Sequence, residues 1–199
     1  MAGNPRHSPG LTYLARHGQT EWNVAGRRQG RLDSPLTPLG LEQAHRNAQL
    51  LAGEGIDAIF ASPLDRARRT ASIIASELGL TVEVVDDLAE IDHGLWSGLE
   101  SGQIDARWPG QRDAREREKY TYRFPEGESY ADGEVRAGRV LEEVGRSGVR
   151  RPLLVSHEMI GRMLLRRLGV PDALGTRQPS DVVYRVRAGG VLEGLSSSG

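Results

Sequence analysis

The sequence predicts an α/β fold in which a mostly parallel sheet is covered on both faces by helices. Three observations predict it. Short aliphatic or β-branched runs alternate along the chain with stretches whose apolar residues recur at helical spacing. A hydrophobic content of 38% is enough for a real core. A length of 199 residues suits one domain.

The elements follow in order. Residues 1–10 contain Pro5 and Pro9 and no apolar run, so they read as a loose tail and not as a signal peptide. Residues 11–199 read as a single domain. Leu11 to Ala15 is the first strand, closed by Arg16. Thr37 followed by Pro38 reads as an N-cap with proline at the first helical position. Leu41, Ala44, Ala48 and Leu51 then repeat at helical spacing until Gly53 and Gly55 stop the run. Asp57 to Ala61 is the second strand. Leu64 to Leu78 carries a second amphipathic stripe: Ala67, Ala71, Ile74, Ala75 and Leu78. Thr81 to Val85 is a β-branched third strand. Leu88 to Val149 is longer, charged and glycine-rich, and predicts a helical excursion over the sheet at about 99–130. Pro152 to Ser156 is the fourth strand, and a helix over Met159 to Leu168 follows it directly. Asp181 to Val186 and Val191 to Leu195 form a closing hairpin around Ala188, Gly189 and Gly190.

Composition removes several function classes. A net charge of −1 argues against a general nucleic-acid binder. No stretch is long and apolar enough to span a membrane. The absence of cysteine excludes disulfides, thiolate metal sites and a cysteine nucleophile, and it fits a cytoplasmic location. All 26 basic residues are arginine save Lys119, which reads first as a coding bias. The tail and the closing hairpin leave a homodimer edge open.

In open α/β sheets, ligands bind beyond the carboxyl ends of the strands. Two predicted strands deliver a histidine there, in Arg16-His17-Gly18 and in Ser156-His157-Glu158. The second strand leads to Arg66, and the third leads to Glu90 among Glu83, Asp86, Asp87 and Asp92. No His-x-x-x-His or similar metal spacing occurs. Two imidazoles, two guanidiniums and a carboxyl suit phosphoryl transfer. Arginines grip phosphate oxygens bidentately. A neutral imidazole can attack phosphorus. A carboxyl can protonate the leaving oxygen and then deprotonate water. Every role has a candidate without a metal or other cofactor.

The motifs resemble those of the histidine phosphatase superfamily, which contains cofactor-dependent phosphoglycerate mutase and fructose-2,6-bisphosphatase. "RHGQTEWN" is similar to the signature Arg-His-Gly-x-Thr-x-x-Asn, and "RRQGRLDSPLTPLGLEQA" to the segment that follows it. "ASPLDRARRTA", "LAEIDHGLWSG" and "LLVSHE" resemble the second-arginine, acid and second-histidine motifs. The matches run from about Leu11 to Gly169, in the family's order.

The resemblance implies a three-layer α/β/α sandwich with a mostly parallel central sheet, phosphoglycerate mutase-like. It implies that His17 is the phosphorylated nucleophile. It implies that Arg16, Arg66 and His157 hold the phosphoryl oxygens, with Asn23 in support. Glu90 is implied as general acid and then base, and Gln29 and Gly30 as lining the substrate side. His93 matches an aromatic position near the substrate in the mutases; a packed histidine is the alternative. Glu158 stands where the family pattern has glycine, and is expected to turn aside toward an arginine. His7 and His45 read as tail and helix surface, and Trp22 and Trp96 as packed under loops. The basic run from Arg107 to Arg123 reads as a solvated face, from which Tyr120, Tyr122 and Arg123 could cover the site.

The expected function is metal-independent hydrolysis of a small phosphomonoester through a phosphohistidine. Ile91 follows Glu90 where the mutases have arginine, and "YTYRFPEGESYADGE" matches the Pro-x-Gly-Glu-Ser pattern of the family's phosphatases. Two other readings stay open: a phosphoglycerate mutase, and a non-catalytic phospholigand-binding module.

Overall fold

A computed structural model describes residues 10–196. The tail expected over residues 1–10, with His7, lies outside the described residues save for Gly10. The strands are β1 (Leu11–Arg16), β2 (Ala58–Ala61), β3 (Val82–Val84), β4 (Pro152–Ser156), β5 (Val182–Arg187) and β6 (Val191–Ser196). They form one sheet in the order β3-β2-β4-β1-β5-β6. β3, β2, β4 and β1 are mutually parallel, whereas β5 and β6 close one edge antiparallel. The helices are α1 (Glu21–Val24), α2 (Pro38–Leu51), α3 (Asp65–Leu78), α4 (Ser101–Arg107), α5 (Gln111–Arg117), α6 (Tyr130–Arg146) and α7 (Glu158–Arg167).

Strand periodicity explains why both faces are covered. Successive side chains point to opposite faces. Tyr13, Ala15, Ile59, Ala61, Leu153 and Val155 enter one apolar cluster with Ala48 and Leu51 of α2 and Ala67, Ala71 and Ile74 of α3. Leu14, Phe60 and Leu154 enter the other, with Ala137, Val140 and Val144 of α6 and Ile160, Met163 and Leu164 of α7. A strand buried on both faces has no polar alternation to show. That is why these runs read as continuously apolar, and it produces the three-layer α/β/α sandwich.

Local signals set the helix ends. The Thr37 hydroxyl accepts from the Gly40 amide at 3.0 Å, with Pro38 in the first turn. Gly79, left-handed at φ 67°, ends α3. The 17-residue α6 opens with a capping box between Ser129 and Asp132. It had no separate signature in the sequence because Gly133 and Gly138 interrupt its stripe. Gly133 is small for a reason: a β-carbon there would lie 2.1 Å from Ile91 Cδ1.

The loop after β1 is pressed against the start of α2. A β-carbon on Gly18 would lie 2.2 Å from the Gly40 carbonyl oxygen, a backbone atom that cannot rotate away. Gly18→Ala is therefore expected to lower stability by roughly 3 kcal/mol. Urea unfolding checks this; an unchanged midpoint would mean that the loop relaxes freely.

Candidate active site

Register brings the site together. In the parallel pair β1–β4, Arg16 lies opposite Ser156. The next residues, His17 and His157, therefore leave the sheet side by side, with ring centroids 5.1 Å apart. β2 ends beside them, and Ser62 Oγ lies 2.7 Å from His157 Nε2. Arg66 follows in the first turn of α3, and Glu90 in the loop after β3.

His17 is 3% exposed. Its Nδ1 donates to the Gly18 carbonyl at 2.7 Å. Burial first, then the charges of Arg66 and Arg16, hold its pKa well below the usual imidazole value. The ring is thus neutral, its proton is committed to Nδ1, and Nε2 carries a free lone pair. His157 is fully buried and does not line the cavity itself. Burial, then Arg66 and His17, keep it neutral too. Its Nε2 shares a hydrogen bond with the Ser62 hydroxyl, and its Nδ1 has no protein partner.

The two arginines are held by their terminal nitrogens. Arg66 Nη1 donates to Asp33 at 2.6 Å and to the Leu32 carbonyl at 2.7 Å, and Nη2 donates to the Gly30 carbonyl at 2.8 Å. Arg16 Nη1 meets Glu158 at 3.0 Å and the Gln178 carbonyl at 3.3 Å. The Nε of each is buried without a protein partner. Glu158 does turn to arginines: its other oxygen meets Arg162 at 2.7 Å. One of its partners is Arg16 itself.

Glu90 hangs from the amino end of α7. Its Oε1 accepts from the Ile91 and Ile160 amides at 2.9 Å, and its Oε2 from Met159 at 3.2 Å. A carboxylate offers about four acceptor positions, so one is left for a proton. Arg136 of α6 fixes the loop by donating to the carbonyls of Asp87, Ala89 and Glu90. Glu128, in the Pro125-to-Ser129 motif, pairs with Arg136 at 2.8 Å and accepts from the Asp92 amide.

Arg16, His17, Asn23, Gln29, Gly30, Arg66, Glu90 and His93 all line one cavity of about 330 Å³. Asn23 also accepts from the Thr20 amide at 3.1 Å, which caps α1. Gln29 accepts from Ser34, and Gly30 (φ 54°) backs onto the His93 amide. His93 is 5% exposed and packs on Phe124, ring centroids 4.6 Å apart. Burial, then Arg28, Arg115 and Arg66, push its pKa down to about 3.

Seven of the lining side chains are arginines and one is Lys119, against the carboxylates of Glu90, Glu116 and Glu158. Arg28, Arg115, Lys119, Arg162 and Arg177 had no signal of their own in the sequence. Tyr120, Tyr122 and Arg123 do not line the cavity. Tyr120 bonds to Glu134, Tyr122 packs on Trp96, and Arg123 pairs with Asp132. Arg115 is 5% exposed, not part of a solvated face. His45 is exposed and bonded to Glu77, and Trp96 is fully buried. Among the described residues no group of three His, Asp or Glu could hold a metal ion. No helix among them is long and apolar enough to cross a membrane.

The three buried histidines predict acid sensitivity. Their folded pKa values are lowered, so below about pH 6.5 the unfolded chain binds protons that the folded chain does not. Stability is full above that pH and falls as pH drops. Each histidine contributes about 1.4 kcal/mol per pH unit. Together they predict a loss of about 4 kcal/mol from pH 7.5 to 5.5, read by urea unfolding at both. A flat profile would contradict the buried neutral rings.

A doubly covered α/β sheet whose strand ends present two neutral histidines, two arginines and a carboxyl defines a class: enzymes built to handle a phosphoryl group. Comparison with known proteins gives the family. Residues 12–180 match the model of the histidine phosphatase superfamily (branch 1), and the chain belongs to it. "Probable phosphoglycerate mutase GpmB" of Yersinia pestis (strain Pestoides F) is 40% identical over 164 residues, covering 80% of this chain and 75% of that protein. Mycobacterial glucosyl-3-phosphoglycerate phosphatase, solved with VO3, superposes with a TM-score of 0.83 at 32% identity, covering 94% of this chain and 99% of that one. The alpha-ribazole phosphatase of Shigella flexneri gives a TM-score of 0.80 at 25% identity, covering 94% and 96%.

Proposed function

We propose that this chain is a metal-independent phosphatase that hydrolyses a small phosphomonoester through a phosphohistidine on His17. One observation carries the reading. A buried, neutral His17 has its proton fixed on Nδ1 and lines one cavity with Arg16 and Arg66, each of which has an unpartnered Nε–H.

The Nε2 lone pair attacks phosphorus while the bond to the leaving oxygen breaks. Glu90, protonated at its remaining position, gives that oxygen its proton. Arg16 and Arg66 stabilise the charge on the equatorial oxygens, with His157, whose Nδ1 has no protein partner, packed next to His17. Glu90, now a carboxylate, takes a proton from water as the water attacks phosphorus and the nitrogen–phosphorus bond breaks. Inorganic phosphate leaves and the enzyme is restored. A cavity of about 330 Å³ lies at the small end of ligand pockets, which suits a metabolite.

The solved phosphatases named above support hydrolysis. The second reading, a phosphoglycerate mutase, rests on the name of the 40% identical relatives. Phosphate release in EDTA, beside trapping of labelled protein, separates the readings. A phosphatase releases phosphate and shows a transient label. A mutase keeps a long-lived label that it returns to phosphoglycerate. A binding module shows neither, and that result would overturn both enzymatic readings.

A further inference from the structure

His17 can attack phosphorus through Nε2 only while its proton sits on Nδ1. The Gly18 carbonyl holds it there, at 2.7 Å. A neutral imidazole carries its proton on either nitrogen, and the hydrogen bond offered to the ring decides which. The orientation of the Gly18 carbonyl therefore decides whether His17 is reactive. That carbonyl shares one planar trans peptide with the Gln19 amide, so the two groups point in opposite directions. Gln43 Oε1, on α2, accepts from the Gln19 amide at 2.8 Å. Gln43, the peptide and His17 thus form a chain of hydrogen bonds in which each polarises the next.

The peptides on either side are pinned without Gln43. The Gly18 amide donates to the Thr70 hydroxyl at 3.0 Å, and that hydroxyl donates to the Arg66 carbonyl at 2.8 Å. Beyond the unit, the Gln19 carbonyl accepts from the Thr37 amide at 2.9 Å, and the Thr20 amide donates to Asn23 at 3.1 Å. With both neighbours fixed, the Gly18–Gln19 unit is the one left to turn over, and Gly18 has no β-carbon to resist the turn. A turned unit would aim the Gln19 N–H at His17 Nδ1. Nδ1 would then have to accept, the proton would sit on Nε2, and the lone pair that attacks phosphorus would be gone.

We propose that Gln43 is a positioning residue that locks His17 in its reactive tautomer through the Gly18–Gln19 peptide. This rests on the phosphatase reading, in which Nε2 is the nucleophile. Gln43 has no place in the cavity wall, so its effect on substrate is indirect.

The test reads the tautomer and the rate separately. Long-range proton–nitrogen correlation spectra of chain carrying nitrogen-labelled histidine report which ring nitrogen of His17 is protonated; its signals are those missing from His17→Ala. In the native chain the Nδ1–H form should dominate. Gln43→Met keeps the length of the side chain and removes the acceptor, leaving the Gln19 N–H unpaired unless its peptide turns. The Nε2–H form should then dominate by about tenfold, and kcat should fall by about the same factor with KM within about threefold. Gln43→Glu, which still accepts from the Gln19 amide, should restore both. An Nε2–H ring in the native chain, an unchanged tautomer in Gln43→Met, or an equal loss in Gln43→Glu would overturn the lock. If Gln43→Met does not fold, Gln43→Ala, with the best helix former in its place, carries the same expectations. If the native chain releases no phosphate, the phosphatase reading fails by itself, and the tautomer spectra still decide the lock.

Discussion

His17→Ala is expected to lower kcat by roughly 10⁴-fold or more and to abolish the trapped label. With His17 as nucleophile, no neighbour can replace it. Among the described residues His157 is the only other histidine ring in contact with it, and its Nε2 is engaged by Ser62. The variant should fold. The side chain makes one hydrogen bond, to the next residue's carbonyl. Its loss also removes one of the three groups that weaken the chain in acid, so the fall in stability from pH 7.5 to 5.5 should shrink by about a third. Phosphate should still bind through Arg16 and Arg66. Retention of substantial turnover, or of label, would remove His17 from the mechanism.

The second large effect belongs to Glu90→Gln. The amide oxygen can still accept from Ile91 and Ile160, while the amide nitrogen faces the Met159 amide as donor against donor. One long hydrogen bond is lost, and stability should fall by about 1 kcal/mol. Catalysis should fall by about 10²- to 10⁴-fold for an alkyl phosphate, whose leaving oxygen needs a proton. An aryl phosphate, whose leaving group departs without help, should still phosphorylate His17. Water then lacks its base, and the labelled protein should accumulate. Rapid-quench labelling with both substrates distinguishes the steps. Equal loss with both and no accumulation would place the acid elsewhere.

The fold was largely legible because its signals are local. Buried strands announce themselves as short aliphatic runs, and Thr37-Pro38 and Gly79 punctuate their helices. The candidate reaction centre was legible for a related reason. Its two histidines each sit one step beyond a strand, so an Arg-His-Gly or a Ser-His after an apolar run marks their places. The substrate end was not legible. In a chain whose basic residues are nearly all arginine, no single arginine stands out, and only tertiary structure gathers Arg28, Arg115 and Arg162 around one space. Arg115 lies in a helix with charges on every side and read as solvated; Phe124 and Tyr130, from other segments, bury it. Asp33 sat inside a recognised motif with no role, because its partner Arg66 is 33 positions away.

Glu90 is moored to the amides of Met159 and Ile160, and the residue that caps the same helix is His157. Proton carrier and second imidazole therefore ride on one stiff rod, and any slide of that rod shifts both alike. Mutational drift beneath α7 would detune the reaction as a whole and be eliminated. The segments bearing Arg28 (the loop after α1) and Arg115 (helix α5) hang from other parts of the frame. They can be redrawn freely, so one inherited engine can be fitted to many fuels.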